Sequence, residues 1–187
     1  ARLNDTDDKH FIDYDGSNLP FPDNHFDFIF SQEVLEHVNP VAIKSYYREE
    51  HRTLKSGGCV LHQVPHRLVP YESHTKTWLV HYLPEGLRNM IYKSMGKYSE
   101  TVEHALFLRW PWYHMRQMQA QFGNCVSLSK RRLITPQQFE YYDGPRRLRL
   151  LVQALARMPL VGGLVAGFLA NFIMLETLSE KRYPTGR

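Results

Sequence analysis

Cysteine is nearly absent from this chain. The 187 residues hold two, Cys59 and Cys125, far apart and set in apolar runs. That excludes a disulfide framework and fits a reducing compartment, the cytoplasm. Charge of one sign is also scarce. The net charge is +4, with the excess Lys and Arg gathered at Lys130 to Arg132 and Arg146 to Arg149. Such an excess suits phosphates or a membrane surface as partners and is too small and dispersed for nucleic acid. Repeats and low-complexity stretches are missing, and no signal peptide is expected. Histidine is plentiful, ten in all, yet no close pair has zinc spacing. His62 and His66 are four apart, but a strand followed by Pro65 cannot place them as a helix would, so no metal site is expected.

What is present is globular. Hydrophobic residues make up 43% and charged residues 22% of the sequence, which suits one domain over residues 1–187. The stretch from Asp15 to Gly58 organises it. His10 to Tyr14 reads as a short strand, followed by turn chemistry at Asp15-Gly16-Ser17-Asn18 and an irregular, proline-containing stretch. Phe26 to Phe30 (FDFIF) reads as a strand buried on both faces, typical of a parallel sheet. Ser31 ends it, and Gln32 to His37 starts a helical turn. A helix with the stripe Ile43, Tyr46, Tyr47 and Leu54 follows, with Gly57-Gly58 expected to stop it. Cys59 to Val64 is the next strand. The order β, β, α, β points to an α/β fold, with Phe26 to Val64 as a right-handed parallel crossover.

The next strand candidate comes only at Cys125 to Leu128. Residues 66–122 therefore form a long excursion rich in Tyr, Trp and His, with helices expected at Glu85 to Met95 and Trp112 to Gln121. The excursion reads as a helical lid over a substrate, or as a cap whose core is Trp78, Trp110 and Trp112. Arg146 to Ala156 reads as an amphipathic helix and Phe172 to Leu178 as a last strand. Met158 to Leu175 is uncharged for eighteen residues, which invites a membrane span. Pro159, the glycines and Asn171 break that run, so helix, loop and strand is the favoured reading. The basic helix before it suits peripheral membrane contact through 146–175.

Several ordered blocks carry a resemblance. Asp15, Leu19-Pro20-Phe21, Phe26-Asp27 and Glu36-His37 are followed by a helix ending Glu49, Arg52, Leu54, Lys55, Gly57 and Gly58. This looks like the class I S-adenosylmethionine-dependent methyltransferases, most closely their type 11 subgroup. The likeness is close over residues 10–66 and general beyond. Ser56 stands where the family usually has Pro, and Glu50 where it usually has an apolar residue; both are read as tolerable at a helix end. The family's glycine-rich loop and the acid ending its second strand should lie upstream of residue 1. The opening ARLNDTDDKHF, with no Met, accordingly reads as a cut through a longer protein.

The resemblance implies a partial Rossmann-like methyltransferase sheet, strands 3, 4, 5, 6 and 7 of the family order 3-2-1-4-5-7-6, with a helical insertion. It implies S-adenosylmethionine as cofactor and methyl transfer to a small-molecule, glycan-type or lipid-linked acceptor, at oxygen. Asp15 and Gly16 would meet the adenine, unless Asp15 only caps a turn. Ser31, Gln32 and His37 would lie at the cofactor, at the carboxyl edge where open α/β sheets bind ligands; Ser31 also suits a helix cap. Glu36 and His37 would face substrate or form a surface pair. A base for a hydroxyl acceptor is His74 or His66 oriented by Glu72, unless these only tie the loop to the sheet. Tyr71 and Trp78 would line the acceptor pocket. The other reading is a non-catalytic remnant acting as an interaction or membrane-surface module. Either way the Phe26 to Phe30 strand would be left as an exposed apolar edge, and the fragment alone is expected to be poorly soluble and inactive.

Overall fold

The computed structural model describes residues 12, 14, 18–98, 105–135 and 146–183, with backbone only at 146–149. Asp15, Gly16 and most of the expected strand His10 to Tyr14 lie outside the described residues. The fold is mixed α/β around a four-stranded sheet in the order β1-β2-β6-β5. These strands are β1 (Phe26–Gln32), β2 (Leu54–Val64), β5 (Val126–Ser127) and β6 (Leu175–Glu180). β1 and β2 are parallel, β6 is antiparallel to β2, and β5 is antiparallel to β6. That succession is the 4-5-7-6 half of the sheet order that the resemblance implies.

β1 and β2 are joined by α1 (Ile43–Thr53). Ile43, Tyr47 and Glu50 recur at helical spacing and are all buried against the sheet. Gly57-Gly58 does not stop this helix. Leu54 is already extended, and β2 runs through both glycines. Pairing with β1 slips from Phe26–Leu54 to Phe28–Cys59, so Lys55 to Gly58 bulge out of register. Gly57 takes φ +80, and a Cβ on Gly58 would lie 2.9 Å from the carbonyl oxygens of Asp27 and Lys55. The glycines let the chain turn tightly while remaining a strand.

Between β2 and β5 lie a two-residue hairpin, β3 (Tyr71–Glu72) with β4 (Thr77–Trp78), a 3₁₀ turn at Val80–Tyr82, and helices α2 (Glu85–Ser94) and α3 (Pro111–Phe122). The three tryptophans do not form a core for this segment. Trp78, Trp110 and Trp112 are all exposed, and Trp110 stacks on Trp112 at 4.8 Å. The packing comes instead from the far face of α3. Met118 and Phe122 join Leu35, Ile43, Tyr47, Leu54, Val60 and Val64 in the main core.

Three short helices cover the β6 end of the fold: α4 (Ser129–Ile134), α5 (Arg146–Ala156) and α6 (Gly162–Leu169). A second small core, Leu133 with Ile173, holds them together. The last strand starts at Leu175, later than expected, because Ala170–Phe172 make a 3₁₀ turn. Among the described residues no helix is long and apolar enough to cross a membrane.

β1 departs from the expectation of burial on both faces. Phe28 is 54% and Phe30 50% exposed, because no described element covers that face of the edge strand.

Candidate active site

The blocks LPF and E-x-x-R are physically one unit. Arg52, at the end of α1, donates to the carbonyls of Leu19 (3.0 Å) and Phe21 (2.8 Å), and to Asp23 (2.7 Å) and Glu49 (2.7 Å). Glu49 in turn accepts from the Leu19 backbone N–H at 3.0 Å. The guanidinium fork thereby fixes the loop that enters β1. These contacts hold the carboxyl of Glu49 below its ordinary range, the Arg52 hydrogen bond foremost.

At its carboxyl end β1 delivers Ser31 and Gln32. Ser31 is buried, its hydroxyl 3.2 Å from that of Tyr46, while Gln32 is exposed. Glu33 turns the chain with φ 53, and the turn closes with His37 N–H donating to Val34 at 2.9 Å. The segment after the undescribed stretch 99–104 clamps this turn. Phe107 N–H donates to the Glu36 carbonyl at 2.6 Å, and Arg109 donates to the carbonyls of Leu35 (2.6 Å) and Val38. His37 Nδ1 meets the Ala105 carbonyl at 2.7 Å.

That clamp buries Glu36. Its side chain is 0% exposed, 3.9 Å from His37 Nε2, and neither carboxylate oxygen has a hydrogen bond. Burial pushes its pKa up. Glu36 and His37 are therefore no surface pair: one is inside and one is out.

His74 reaches the same place from the tip of the β3–β4 hairpin. Glu72, buried, accepts from the backbone N–H groups of His74 (2.8 Å) and Thr75 (2.6 Å), from the Thr75 hydroxyl, and from His74 Nδ1 (2.7 Å). Burial alone would raise the pKa of Glu72, but these hydrogen bonds outweigh it and hold it at about 2. Glu72 is thus an ionised, acceptor-only group, and it raises the pKa of His74 through their hydrogen bond. His74 Nε2 then lies 3.2 Å from His37 Nε2.

His66 is placed differently. It is 3% exposed, its Nε2 donates to the Ile173 carbonyl at 2.8 Å, and its Nδ1 accepts from Leu68 N–H at 3.2 Å. Burial drives its pKa down to about 4. It lines a cleft of about 120 Å³ with Gln32, Glu33, Tyr71, Glu72 and Arg132. Tyr71 therefore faces that cleft, whereas Trp78 packs on the Tyr71 ring at 5.3 Å and does not line it.

The fold thus gathers Gln32, His66, Tyr71 and Glu72 around one cleft and joins His37 to His74 beside it. Glu36, which the sequence offers as substrate-facing or as half of a surface pair, completes the arrangement from inside, and Thr75, Arg109 and Arg132 join it without being site candidates from sequence. No local signal distinguishes Arg109 and Arg132, whereas Thr75 lies three residues after the carboxylate it caps.

Residues 1–62 match the model of a family described as a methyltransferase domain. No protein of curated function matches the chain. Among solved structures it is similar to phosphoethanolamine N-methyltransferase 2 of Haemonchus contortus, at 17% identity and TM-score 0.42, covering 90% of this chain and 36% of that one. It is similar to a Streptomyces coelicolor geranyl diphosphate C-methyltransferase at 12% identity and TM-score 0.38, covering 89% and 50%. A Mesorhizobium loti S-adenosylmethionine-dependent methyltransferase stands at 15% identity and TM-score 0.44, covering 89% and 67%. The chain spans 36% of the length of the first of these and half of the second.

Proposed function

We propose that this chain is the acceptor-binding part of an S-adenosylmethionine-dependent methyltransferase acting on oxygen of a small-molecule, glycan-type or lipid-linked acceptor. One observation carries the reading: Gln32 and Glu33, at the carboxyl end of β1, share a single cleft with Tyr71 and Glu72 of the hairpin. The first pair marks the sheet edge where a nucleotide cofactor binds in this fold class. The second pair brings the machinery for a hydroxyl acceptor.

S-adenosylmethionine supplies an electrophilic methyl group. What these residues do is align the acceptor and take its proton. The Ser31–Gln32 backbone and His37 border the cofactor, and Asp15 and Gly16 meet the adenine. Tyr71 forms a wall for the acceptor, and Trp78 supports that wall from behind. His74 is the base: ionised Glu72 fixes its Nδ1–H tautomer and leaves Nε2 to receive the proton. His66, with both ring nitrogens engaged, ties the chain after β2 to Ile173, two residues before β6. The segment 66–122 acts as a lid whose anchor is α3.

The test is calorimetric titration with S-adenosylmethionine and S-adenosylhomocysteine, on this chain and on one extended upstream by the natural gene. Tighter binding by the extended form is expected, because the part proposed here is the acceptor side of the site. Binding by neither overturns the reading.

A second reading has its own observation. On α5 and α6 the side chains of Leu150, Leu151, Leu155, Leu164 and Phe168 are exposed, with Leu160 between the helices fully bare. They favour a non-catalytic interaction or membrane-surface module. Sedimentation with anionic vesicles that is lost in Leu160→Ser/Leu164→Ser supports this. Absence from the vesicle pellet overturns it.

A further inference from the structure

We propose that Glu36, His37 and His74 form a site for one divalent transition-metal ion of the zinc class. One donor atom from each lies within 4.8 Å of the other two. The two imidazoles come from elements 37 residues apart, and their Nε2 atoms stand 3.2 Å from each other. Zinc holds nitrogen and oxygen ligands at ~2.0–2.1 Å, which in a tetrahedron separates two ligands by about 3.3–3.4 Å. The histidine pair already has that spacing. Glu36 Oε1, 3.9 Å from His37 Nε2, has to close by roughly half an ångström to reach it.

The hydrogen bonds behind the rings favour the same conclusion. His37 Nδ1 faces a backbone carbonyl and His74 Nδ1 faces the Glu72 carboxylate, both acceptor-only. Each Nδ1 must therefore carry the hydrogen, so with both rings neutral each Nε2 presents a lone pair toward the other. Two facing lone pairs at this distance repel, and only a proton or a metal ion between them relieves that. A carbonyl or carboxylate behind the remote ring nitrogen is how metal-bound histidines are held and made more basic.

Glu36 supplies an independent observation. It is 1% exposed, and both its carboxylate oxygens lack a hydrogen-bond donor. Buried carboxylates are costly unless paired or bound to metal. Glu36 also lines a small cavity with Leu35, Tyr47, Phe107, Arg109 and His114. The two histidines are exposed enough for an ion to enter.

Two imidazoles and one carboxylate suit zinc and its neighbours rather than magnesium or calcium, which prefer oxygen. Three ligands leave a position open, as in catalytic rather than structural zinc sites. An acceptor hydroxyl bound there becomes a stronger acid. This role rests on the methyltransferase reading, and in the loaded state His74 would hold the ion instead of taking the proton. The binding of the ion rests on neither.

The test uses the 187-residue chain, stripped with chelator and titrated with Zn²⁺ by calorimetry, then with Co²⁺ while its visible spectrum is recorded. One equivalent of each should bind, with the intense visible bands of a low-coordinate cobalt site. His37→Ala and His74→Ala should lose the site. Glu72→Gln leaves all three donors in place and should weaken binding ~10–100-fold by loosening the His74 ring. His25→Ala, away from the triad, should bind as the unaltered chain does. Circular dichroism and melting confirm that each variant folds. Failure of the unaltered chain to bind Zn²⁺ stoichiometrically overturns the proposal, as does equal binding by His37→Ala. A single proton shared between the rings would give that negative result. No readout involves methyl transfer, so failure here and failure to bind S-adenosylmethionine are separate results.

Discussion

His62 Nε2 and the Glu50 carboxylate meet at 2.9 Å inside the protein, with 0% and 2% of their side chains exposed. Beside them, His114 bridges the Tyr47 hydroxyl and the Thr177 hydroxyl at 2.8 Å each. A polar network thus sits where α1 and α3 cover the sheet, at the position where the resembling family carries an apolar residue. Removing one partner of such a buried pair strands the other. Glu50→Ala should cost roughly 3–5 kcal/mol in urea unfolding. Glu50→Leu combined with His62→Val should recover most of that loss, since well-packed apolar replacements of buried pairs are often neutral. A double variant as unstable as the single one would show that the network does more than satisfy its own polar groups.

The glycine bulge at the start of β2 makes a second, asymmetric prediction. A Cβ at Gly58 meets two backbone carbonyl oxygens, whereas one at Gly57 meets the Tyr183 ring, which is 70% exposed. Backbone cannot swing aside, and an exposed ring can. Gly58→Ala should therefore cost about 1–3 kcal/mol as overpacking. Gly57→Ala should cost ~1 kcal/mol, from its positive φ alone. Thermal unfolding of the two variants decides the order, and a more damaging Gly57→Ala would contradict it.

The same bulge shows where sequence reading succeeds and where it stops. FDFIF, the α1 stripe, α5 at Arg146–Ala156 and the break in the long apolar run are local patterns, and each element formed close to where its pattern lies. Gly57-Gly58 reads as a helix stop because glycine usually ends helices, yet the helix already ends at Leu54. Which role a glycine pair takes depends on the neighbouring strand, here the carbonyl of Asp27. The site divides likewise. His37, Glu72 and His74 are legible as chemistry-bearing residues. Their convergence is not, since it depends on a hairpin and on the 105–109 clamp far away in sequence. The burial of Glu36 and Glu50 was equally invisible, because burial is decided by what packs from elsewhere.

Four histidines that burial shifts downward make the fold acid-sensitive: His66 and His114 most strongly, His51 and His81 in the same direction. Burial holds His66 at about 4 and His114 well below its ordinary value. Unfolded, both would titrate near ~6.5. Between those values the unfolded chain binds more protons, so stability falls as pH is lowered from about 6.5 toward 4. The contribution of His66 alone is up to ~3 kcal/mol. His74, raised by Glu72, runs the other way and makes the profile shallower near neutrality. Melting temperatures across this range should drop steeply for the unaltered chain. His66→Gln should start lower at pH 7 and lose less on acidification. Parallel curves would mean that His66 contributes little beside His51, His81 and His114.

The exposed side of β1 makes the last prediction. Parallel strands are normally covered on both faces, yet Phe28 and Phe30 are half exposed on a strand at the edge of the described sheet. An apolar strand face beside unpaired backbone groups is a template for another copy. Size-exclusion chromatography with light scattering should find this chain self-associating as concentration rises. Phe28→Lys should raise the monomer fraction, because a charge on that face has to be desolvated for a second copy to pair. Ile29, half-buried on the opposite face within the main core, gives the contrast. Ile29→Lys should destabilise the fold and worsen association. If Phe28→Lys leaves the association unchanged, the exposed leucines and Phe168 of α5 and α6 become the surface responsible, and Leu160→Ser should then be the variant that disperses it.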